Sequence, residues 1–274
     1  MATRPILRWA GSKRKLLPSL MDYVPAKYER YVEPFLGSGC FFLALRPSAS
    51  VLGDFNRGLM EMYSVLRDSP LKLARAVYAM PNTTRYYYKL RSHVVADLTP
   101  LERAARFVYL NRYCFNGVYR ENRQGMFNVP RGSHTGKLPT IEEFKVCAEV
   151  FKSADLRPGD FEECLKDARS GDFIYLDPPY ASCTRLDHGE YGYNSFNEKD
   201  IPRLISTLKA ADRKGAAVLL SYANTPLLKR VLPKWNFRKV RVRRNVAGFA
   251  HQRLEVSEIL VSNYPLPRKP IGVS

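Results

Sequence analysis

Residues 171–180 read GDFIYLDPPY. The run Phe173–Leu176 is apolar without alternation, as expected for a strand buried on both faces. Two prolines end it, since neither has an amide to donate and each restricts the residue before it. Asp177 therefore stands in a rigid turn at a strand's carboxyl end, where open α/β sheets bind their ligands. Asp177 and the Pro178 carbonyl can together accept hydrogen bonds from one amino group, and Tyr180 offers a flat face for stacking a base. Two such acceptors would draw an aromatic amine's hydrogens out of plane and localise its lone pair. The nitrogen is then ready for in-line attack through positioning and electrostatics alone. The plain alternative is a rigid post-strand turn with no chemical task.

Outward from this turn the same rhythm holds. IPRLISTLKAADRKG (201–215) is an amphipathic helix closed by Gly, and AAVLLSY (216–222) is a second buried strand. Upstream, YVEPFLG (31–37) opens as a short strand, SGCFFLAL (38–45) starts a helix, and SVLGDFN (50–56) is a strand ending in an acid. Residues 57–80 are helical in pattern, with Leu59, Met62, Tyr63, Leu66, Leu71, Leu73 and Val77 apolar and a break at Ser69-Pro70. Thr99, Pro100 and Glu102 form a helix start for 99–111. Residues 111–133 are irregular and rich in Gly and Asn, too polar and aromatic for a core element. A strand candidate covers 150–156, and 237–246 with 254–264 alternate as a terminal antiparallel hairpin would. No internal repeat is present. The expected fold is α/β, a doubly wound Rossmann-like sheet from residues 1–56 and 146–274, with a mostly helical insertion over 57–145.

Phe35-Leu36-Gly37-Ser38-Gly39 lies between a strand and a helix, where glycines let backbone approach a nucleoside ligand closely. Asp54, closing the next strand, can accept hydrogen bonds from a ribose. Position 42 is Phe, so the G-x-G-x-x-G pattern fails, which counts against a nicotinamide cofactor. By itself this turn is equally readable as an ordinary strand-to-helix connection.

The chain of 274 residues carries 44 Lys plus Arg against 26 Asp plus Glu, a formal charge of +18. Such an excess points to a polyanion as partner. Residues 229–244 hold eight Lys or Arg and no acid, and residues 1–15 hold Arg4, Arg8, Lys13, Arg14 and Lys15. Both are expected to face a phosphate backbone. The five cysteines are widely spaced with no C-x-x-C pair, so neither a disulfide framework nor a zinc site is expected. No run is long and apolar enough to cross a bilayer, and the basic N-terminus lacks the apolar stretch of a signal peptide. A cytoplasmic location follows as an expectation, nucleoid-associated in a bacterium or phage-encoded in a host. Nothing here bears on oligomeric state, and no metal is expected.

These segments together resemble the Dam-type DNA adenine-N6 methyltransferases. The likeness lies in RWAGSKRKLLP (8–18), VEPFLGSG (32–39), LGDFN (52–56), LNRYCFNGVYREN (110–122), FNVPRG (127–132), DPPY (177–180) and VRVRR (240–244). It spans nearly the whole chain in the family's order. It implies S-adenosyl-L-methionine as methyl donor, a Rossmann-like methyltransferase sheet, and double-stranded DNA as partner. By position, Trp9, Ala10, Gly11, Lys13, Phe35, Gly37 and Asp54 belong to the cofactor pocket, with Asp160 and Phe161 near the cofactor's adenine. Asp177 and Pro178 are implied as catalytic, with Tyr180 stacking on an extruded adenine. The insertion, 57–145, corresponds to the target-recognition domain. Within it Phe115 occupies the place of an aromatic wedge, usually Tyr in the family. Arg8, which replaces a frequent Lys, and Arg120 are implied to read guanine. Val118 and Pro130 would touch a thymine methyl, and Arg112 and Asn116 belong to the same DNA-contacting segment. The implied site is GATC. The alternative for Arg8 and Arg120 is phosphate contact without base readout.

Other chemistries fit less well. Carbon-5 methylation of cytosine needs a thiol nucleophile, and no Pro-Cys dipeptide occurs. Cytosine N4 chemistry could use the same turn, although Ser is more usual in place of Asp177. RNA or protein-glutamine methylation more often uses Asn there. A non-catalytic DNA-binding module would not need an intact turn and an intact pocket.

Overall fold

The computed structural model describes residues 3–122, 124–133, 135–179, 196–243 and 255–267. Tyr180, assigned above to base stacking, and Cys183 lie outside them, as does Arg244 at the end of the basic run 229–244.

After a single 3-10 turn at Lys13–Lys15 comes helix α1 (Leu17–Met21), then strand β1 (Arg30–Glu33), α2 (Cys40–Leu45) and β2 (Ser50–Asp54). Helices α3 (Arg57–Asp68), α4 (Pro70–Tyr78), α5 (Thr84–Arg91), α6 (Pro100–Tyr113) and α7 (Ile141–Phe151) follow without an intervening strand. The chain then returns to the sheet through β3 (Ala154–Pro158), α8 (Phe161–Leu165), β4 (Asp172–Leu176), α9 (Asp200–Arg213), β5 (Ala217–Ala223), α10 (Pro226–Val231), β6 (Asn236–Arg243) and β7 (Glu255–Ser262).

Local chemistry explains the helix starts. Asn56 caps α3 by accepting the Leu59 amide, and Thr99 and Thr140 form reciprocal capping boxes with Glu102 and Glu143. Pro70 begins α4 directly after Ser69 ends α3, because proline suits a first helical position and not an interior.

The seven strands lie in the order β3-β2-β1-β4-β5-β7-β6. The first five are mutually parallel, and β7 runs antiparallel between β5 and β6. This is a Rossmann-like order of a mixed α/β sheet. The expected terminal pair is therefore present, but β7 enters beside β5 and leaves the basic strand β6 at the sheet edge. Lysines and arginines on an edge strand also discourage pairing with another chain.

Alternate residues of each strand face opposite sides. Tyr31, Leu52, Phe173, Tyr175, Leu219 and Leu260 pack into one core with residues of α1–α7. Val32, Val51, Ile174, Leu176, Val218, Leu220, Ile259 and Val261 pack into the other with residues of α8, α9 and α10. The helical insertion thus shares one continuous core with the sheet. Residues 111–133, read from the sequence as too polar and aromatic for a core element, nevertheless bury Tyr119, Phe127 and Val129 in that core. Two isolated antiparallel bridges, Cys114 with Arg131 and Glu121 with Phe127, make the segment hairpin-like. Its alternating aromatics are the inward face of that hairpin.

Candidate active site

The chain reverses its order of strand addition between β1 and β4, which opens a crevice at their carboxyl ends. The turn after β1 carries Gly37 and the turn after β4 carries Asp177, so both line one cavity of about 970 Å³. Trp9, Ala10, Gly11, Lys13, Phe35, Gly37, Asp54, Asp160, Asp177 and Pro178 all border it. Phe161 does not. It is buried and stacks behind Phe35, with ring centroids 5.6 Å apart. Its contribution is to hold Phe35 in place.

The Gly-rich turn is clamped from four sides. The Gly37 amide donates to Asp54 Oδ2 at 2.9 Å, and the Tyr63 hydroxyl donates to the Gly37 carbonyl at 2.8 Å. Ser12 and Ser38 hydroxyls pair at 3.1 Å, tying the N-terminal segment to the turn. Trp9 packs closely against Gly37, whose φ is +48° and where a Cβ would meet the indole Cδ1 at 2.8 Å. Only glycine suits both the left-handed backbone and the aromatic lid.

Asp54 also accepts the Asn56 amide at 2.9 Å through Oδ1. Burial pushes its carboxyl up to about 6, although the Asn56 and Gly37 amides both favour the charged form. The neighbouring Glu33, at the end of β1, is buried and accepts the Tyr31 hydroxyl at 2.9 Å. Burial drives its carboxyl well above the usual range, the Tyr31 hydrogen bond opposes this, and the nearby Asp177 charge adds to the rise. Glu33 had passed in the sequence as part of the turn motif. An acid at the buried end of a parallel strand was its only signal.

Lys13 departs further from expectation. The charge count placed it on a phosphate-facing surface, yet it is 7% exposed and lies 2.8 Å from Asp177 Oδ1 and 3.4 Å from Glu258 Oε1. Arg4, Arg14 and Lys15 are the exposed cations of that segment. A net count cannot separate a solvent-facing lysine from one that compensates two buried carboxylates.

On the insertion side the cavity wall is aromatic. Tyr119 stacks on Phe107 at 4.5 Å, and both rings lie parallel to Trp9 at 5.9 and 6.3 Å. Phe55, 55% exposed, adds a further ring at the cavity, and Arg106 sits buried beside it, donating to the carbonyls of Leu90 and Arg91. Of these only Trp9 was singled out from the sequence; Phe55, Arg106, Phe107 and Tyr119 were not, because such side chains read as ordinary core.

The residues assigned to DNA gather around one loop. Asn116 has φ +54° and Gly117 φ +69°, a tight left-handed pair that leaves Phe115 41% exposed. Gly117 packs against Arg8, and the Asn111 side chain bonds the Arg8 backbone in both directions, at 2.8 and 2.6 Å. Arg8 is thereby brought beside the loop from more than a hundred residues away. Arg120 is half-buried and donates from Nε to Asn128 Oδ1 at 2.9 Å, while Pro130 is exposed. Arg112 is turned inward and donates to the carbonyls of Ile6 and Lys137. Burial, then the neighbouring Arg8 charge, lower its pKa.

The described thiols are buried and poor nucleophiles. Burial pushes Cys40 up to about 11 and Cys114, Cys147 and Cys164 up to about 12. Among the described residues no cluster of His, Cys, Asp and Glu is arranged to hold a metal, and no helix is long and apolar enough to cross a membrane.

The cavity suits S-adenosyl-L-methionine. Its volume is at the upper end of the roughly 300–1,000 Å³ typical of small-molecule sites. It combines a glycine cradle, a carboxylate at the position where a ribose is bound in such sheets, and stacked rings for a base. Fold and crevice together define an α/β enzyme built for a nucleoside-type cofactor.

The comparisons with known proteins then specify the family. Residues 9–246 match the family model described as D12 class N6 adenine-specific DNA methyltransferase. The chain is 34% identical over 273 residues to the Type II methyltransferase M1.LlaDCHI of Lactococcus lactis subsp. cremoris, covering 95% of each. It is 31% identical over 269 residues to the DNA adenine methylase of Escherichia coli K12, covering 96% of each, and 29% identical over 264 residues to that of Haemophilus influenzae, covering 94% of this chain and 92% of the relative. The chain belongs to the D12 class of N6 adenine-specific DNA methyltransferases and is a Dam-type enzyme. Dependence on S-adenosyl-L-methionine is typical of that family.

Proposed function

We propose that this enzyme methylates adenine N6 within GATC in duplex DNA, drawing on S-adenosyl-L-methionine bound in the cavity and on an adenine extruded from the helix. The observation that carries this reading is the shared chamber. Asp54 and Gly37 border one part of it and Asp177 and Pro178 another. A cofactor held at the first and an amine held at the second are neighbours without any rearrangement of the sheet.

S-adenosyl-L-methionine supplies an electrophilic methyl group. Trp9, Phe35 and Gly37, which line the cavity, would hold it by packing, and Asp54 would accept from a ribose hydroxyl. Asp177 and the Pro178 carbonyl accept from the two hydrogens of N6, orient the lone pair and stabilise the positive charge that develops on nitrogen as the N–C bond forms; the methyl's bond to sulfur breaks to leave a neutral thioether, and N6 then loses one proton to solvent. Lys13 Nζ pairs with Asp177 Oδ1 at 2.8 Å and so holds the carboxylate in a partly buried turn. No covalent intermediate is needed.

The insertion over 57–145 acts as the target-recognition part. Exposed Phe115 fills the gap left by the adenine, Arg8 and Arg120 read guanine, and Val118 and Pro130 contact thymine. Asn116 shapes the loop. Arg112 supports Arg8 from beneath, and Tyr180 stacks on the extruded base. Net charge supplies non-specific affinity.

Replacing the target adenine by 2-aminopurine in a GATC duplex tests extrusion. Fluorescence should rise on complex formation with the wild-type chain. An unchanged signal in a saturated complex would contradict the proposed mechanism.

A further inference from the structure

Glu258 is 1% exposed on β7, between strands β5 and β6. It shares a strand face with Leu260 and Ser262, and Leu260 belongs to the same core as Tyr175 and Leu219. A carboxylate at such a position is strongly unfavourable unless paired, and an apolar side chain of similar volume would ordinarily serve stability as well or better. What Glu258 holds is therefore the informative point. Its Oε1 lies 3.4 Å from Lys13 Nζ, and its Oε2 lies 3.4 Å from Ser221 Oγ on β5. Lys13 Nζ in turn lies 2.8 Å from Asp177 Oδ1. One ammonium thus joins the N-terminal segment, the turn after β4 and the central part of β7.

We propose that Glu258 is a positioning residue for methyl transfer, holding Lys13 from the side opposite Asp177 and so setting the orientation and acceptor strength of the Asp177 carboxylate. This rests on the reading that Asp177 faces the substrate amine. The physics is a shared cation. With Glu258 present, the ammonium is divided between two carboxylates and its place is fixed by three elements. With a neutral side chain at 258, the balance of the cation's attraction shifts toward Asp177. The ammonium then pulls the carboxylate toward itself and weakens it as an acceptor for N6. The cofactor surfaces at Gly37, Trp9 and Asp54 and the loop at Phe115 belong to parts of the fold other than β7. Binding should be spared while the chemical step slows.

The test uses the full chain with S-adenosyl-L-methionine and a duplex carrying its methylated site. Glu258→Gln should lower kcat roughly 10- to 100-fold, the loss expected of one charge-assisted interaction. KM for the duplex, cofactor affinity and melting temperature should stay at wild-type values. In a Lys13→Met background the same substitution should cost nothing further, because Glu258 acts through Lys13. Unchanged kcat in Glu258→Gln, additive losses in the double variant, or a joint fall of kcat, affinity and melting temperature would each overturn the proposal. Should Glu258→Gln fail to fold, Glu258→Asp, which keeps the charge and shortens its reach, takes its place under the same criteria. Asp177→Asn separates this inference from the reading beneath it. Near-normal turnover in Asp177→Asn removes that reading, whereas an inactive Asp177→Asn beside a fully active Glu258→Gln removes only the role of Glu258.

Discussion

Asp54 Oδ2 accepts the Gly37 amide hydrogen at 2.9 Å, so the acid that ends β2 also builds the turn that follows β1. A side chain assigned to a ligand is at the same time part of the wall that shapes the ligand's site. Its substitution should therefore do two things at once.

Asp54→Ala should weaken S-adenosyl-L-methionine binding by about 1.5–3 kcal/mol, the value of hydrogen bonds to a charged group. It should also lower the melting temperature of the ligand-free chain, since the Gly37 and Asn56 amides lose their acceptor. The pH dependence follows from the raised carboxyl. Burial lifts Asp54 to about 6 from 3.8, so the folded chain binds an extra proton between those values. Its contribution to stability is greatest below 3.8 and is lost as pH rises through about 6. A ribose hydroxyl prefers the ionised form, so cofactor affinity should fall as pH drops below about 6. Calorimetry across pH 5–8, as an approximate window around that value, should show this fall in the wild-type chain and not in Asp54→Asn. A flat wild-type profile would remove Asp54 from the binding site.

Gly37→Ala should destabilise the chain by on the order of 1–3 kcal/mol, because a Cβ at φ +48° would press on the Trp9 ring. Trp9 should shift, and its fluorescence response to S-adenosyl-L-methionine should weaken. Thermal melts and a cofactor titration by emission check both parts. Wild-type behaviour in both would mean that the turn tolerates a side chain and is not the close-approach site.

Much of the sheet was legible for a simple reason. β1, β2, β4 and β5 are short apolar runs closed by Gly, Asp or Pro, and parallel strands buried on both faces have to read that way. The break between α3 and α4 at Ser69-Pro70 and the Thr99 start of α6 were equally plain, because caps and prolines act locally. What was not legible depends on partners distant in sequence. The burial of Lys13 is decided by Asp177 and Glu258, and the burial of Tyr119 by Phe107 and Trp9. Glu258 lies in the alternating run EVSEILVS, whose inward face is defined only once β7 is known to enter between β5 and β6. Helix α5, TRYYYKLR, buries only Tyr87 and Leu90 and has no strong apolar period to betray it.

Arg120 should read a guanine and not merely hold a phosphate. Its Nε is anchored to Asn128 at 2.9 Å, in the same hairpin-like loop as exposed Phe115. A bidentate contact with guanine is worth roughly 1–3 kcal/mol of discrimination. Arg120→Ala should therefore relax specificity at one base pair of GATC. A phosphate contact would instead weaken all sequences alike and flatten the salt dependence. Methylation rates on GATC and its single-base variants at two salt concentrations distinguish the two. A uniform loss would leave the guanine-reading role without support.

Asp177 carries the central claim, and its environment makes the substitution clean. Removing its carboxylate leaves Lys13 paired with Glu258, so no buried cation is stranded and the fold should persist. The direct measurement is base-resolved mapping of methyl groups on a mixed-sequence plasmid treated with the wild-type chain and with Asp177→Ala, alongside DNA-binding assays of both. The expected result is N6-methyladenine confined to GATC with the wild-type chain, and no methylation by Asp177→Ala despite retained DNA binding. Methyl groups on cytosine, or near-normal turnover by a folded Asp177→Ala chain, would contradict the assignment.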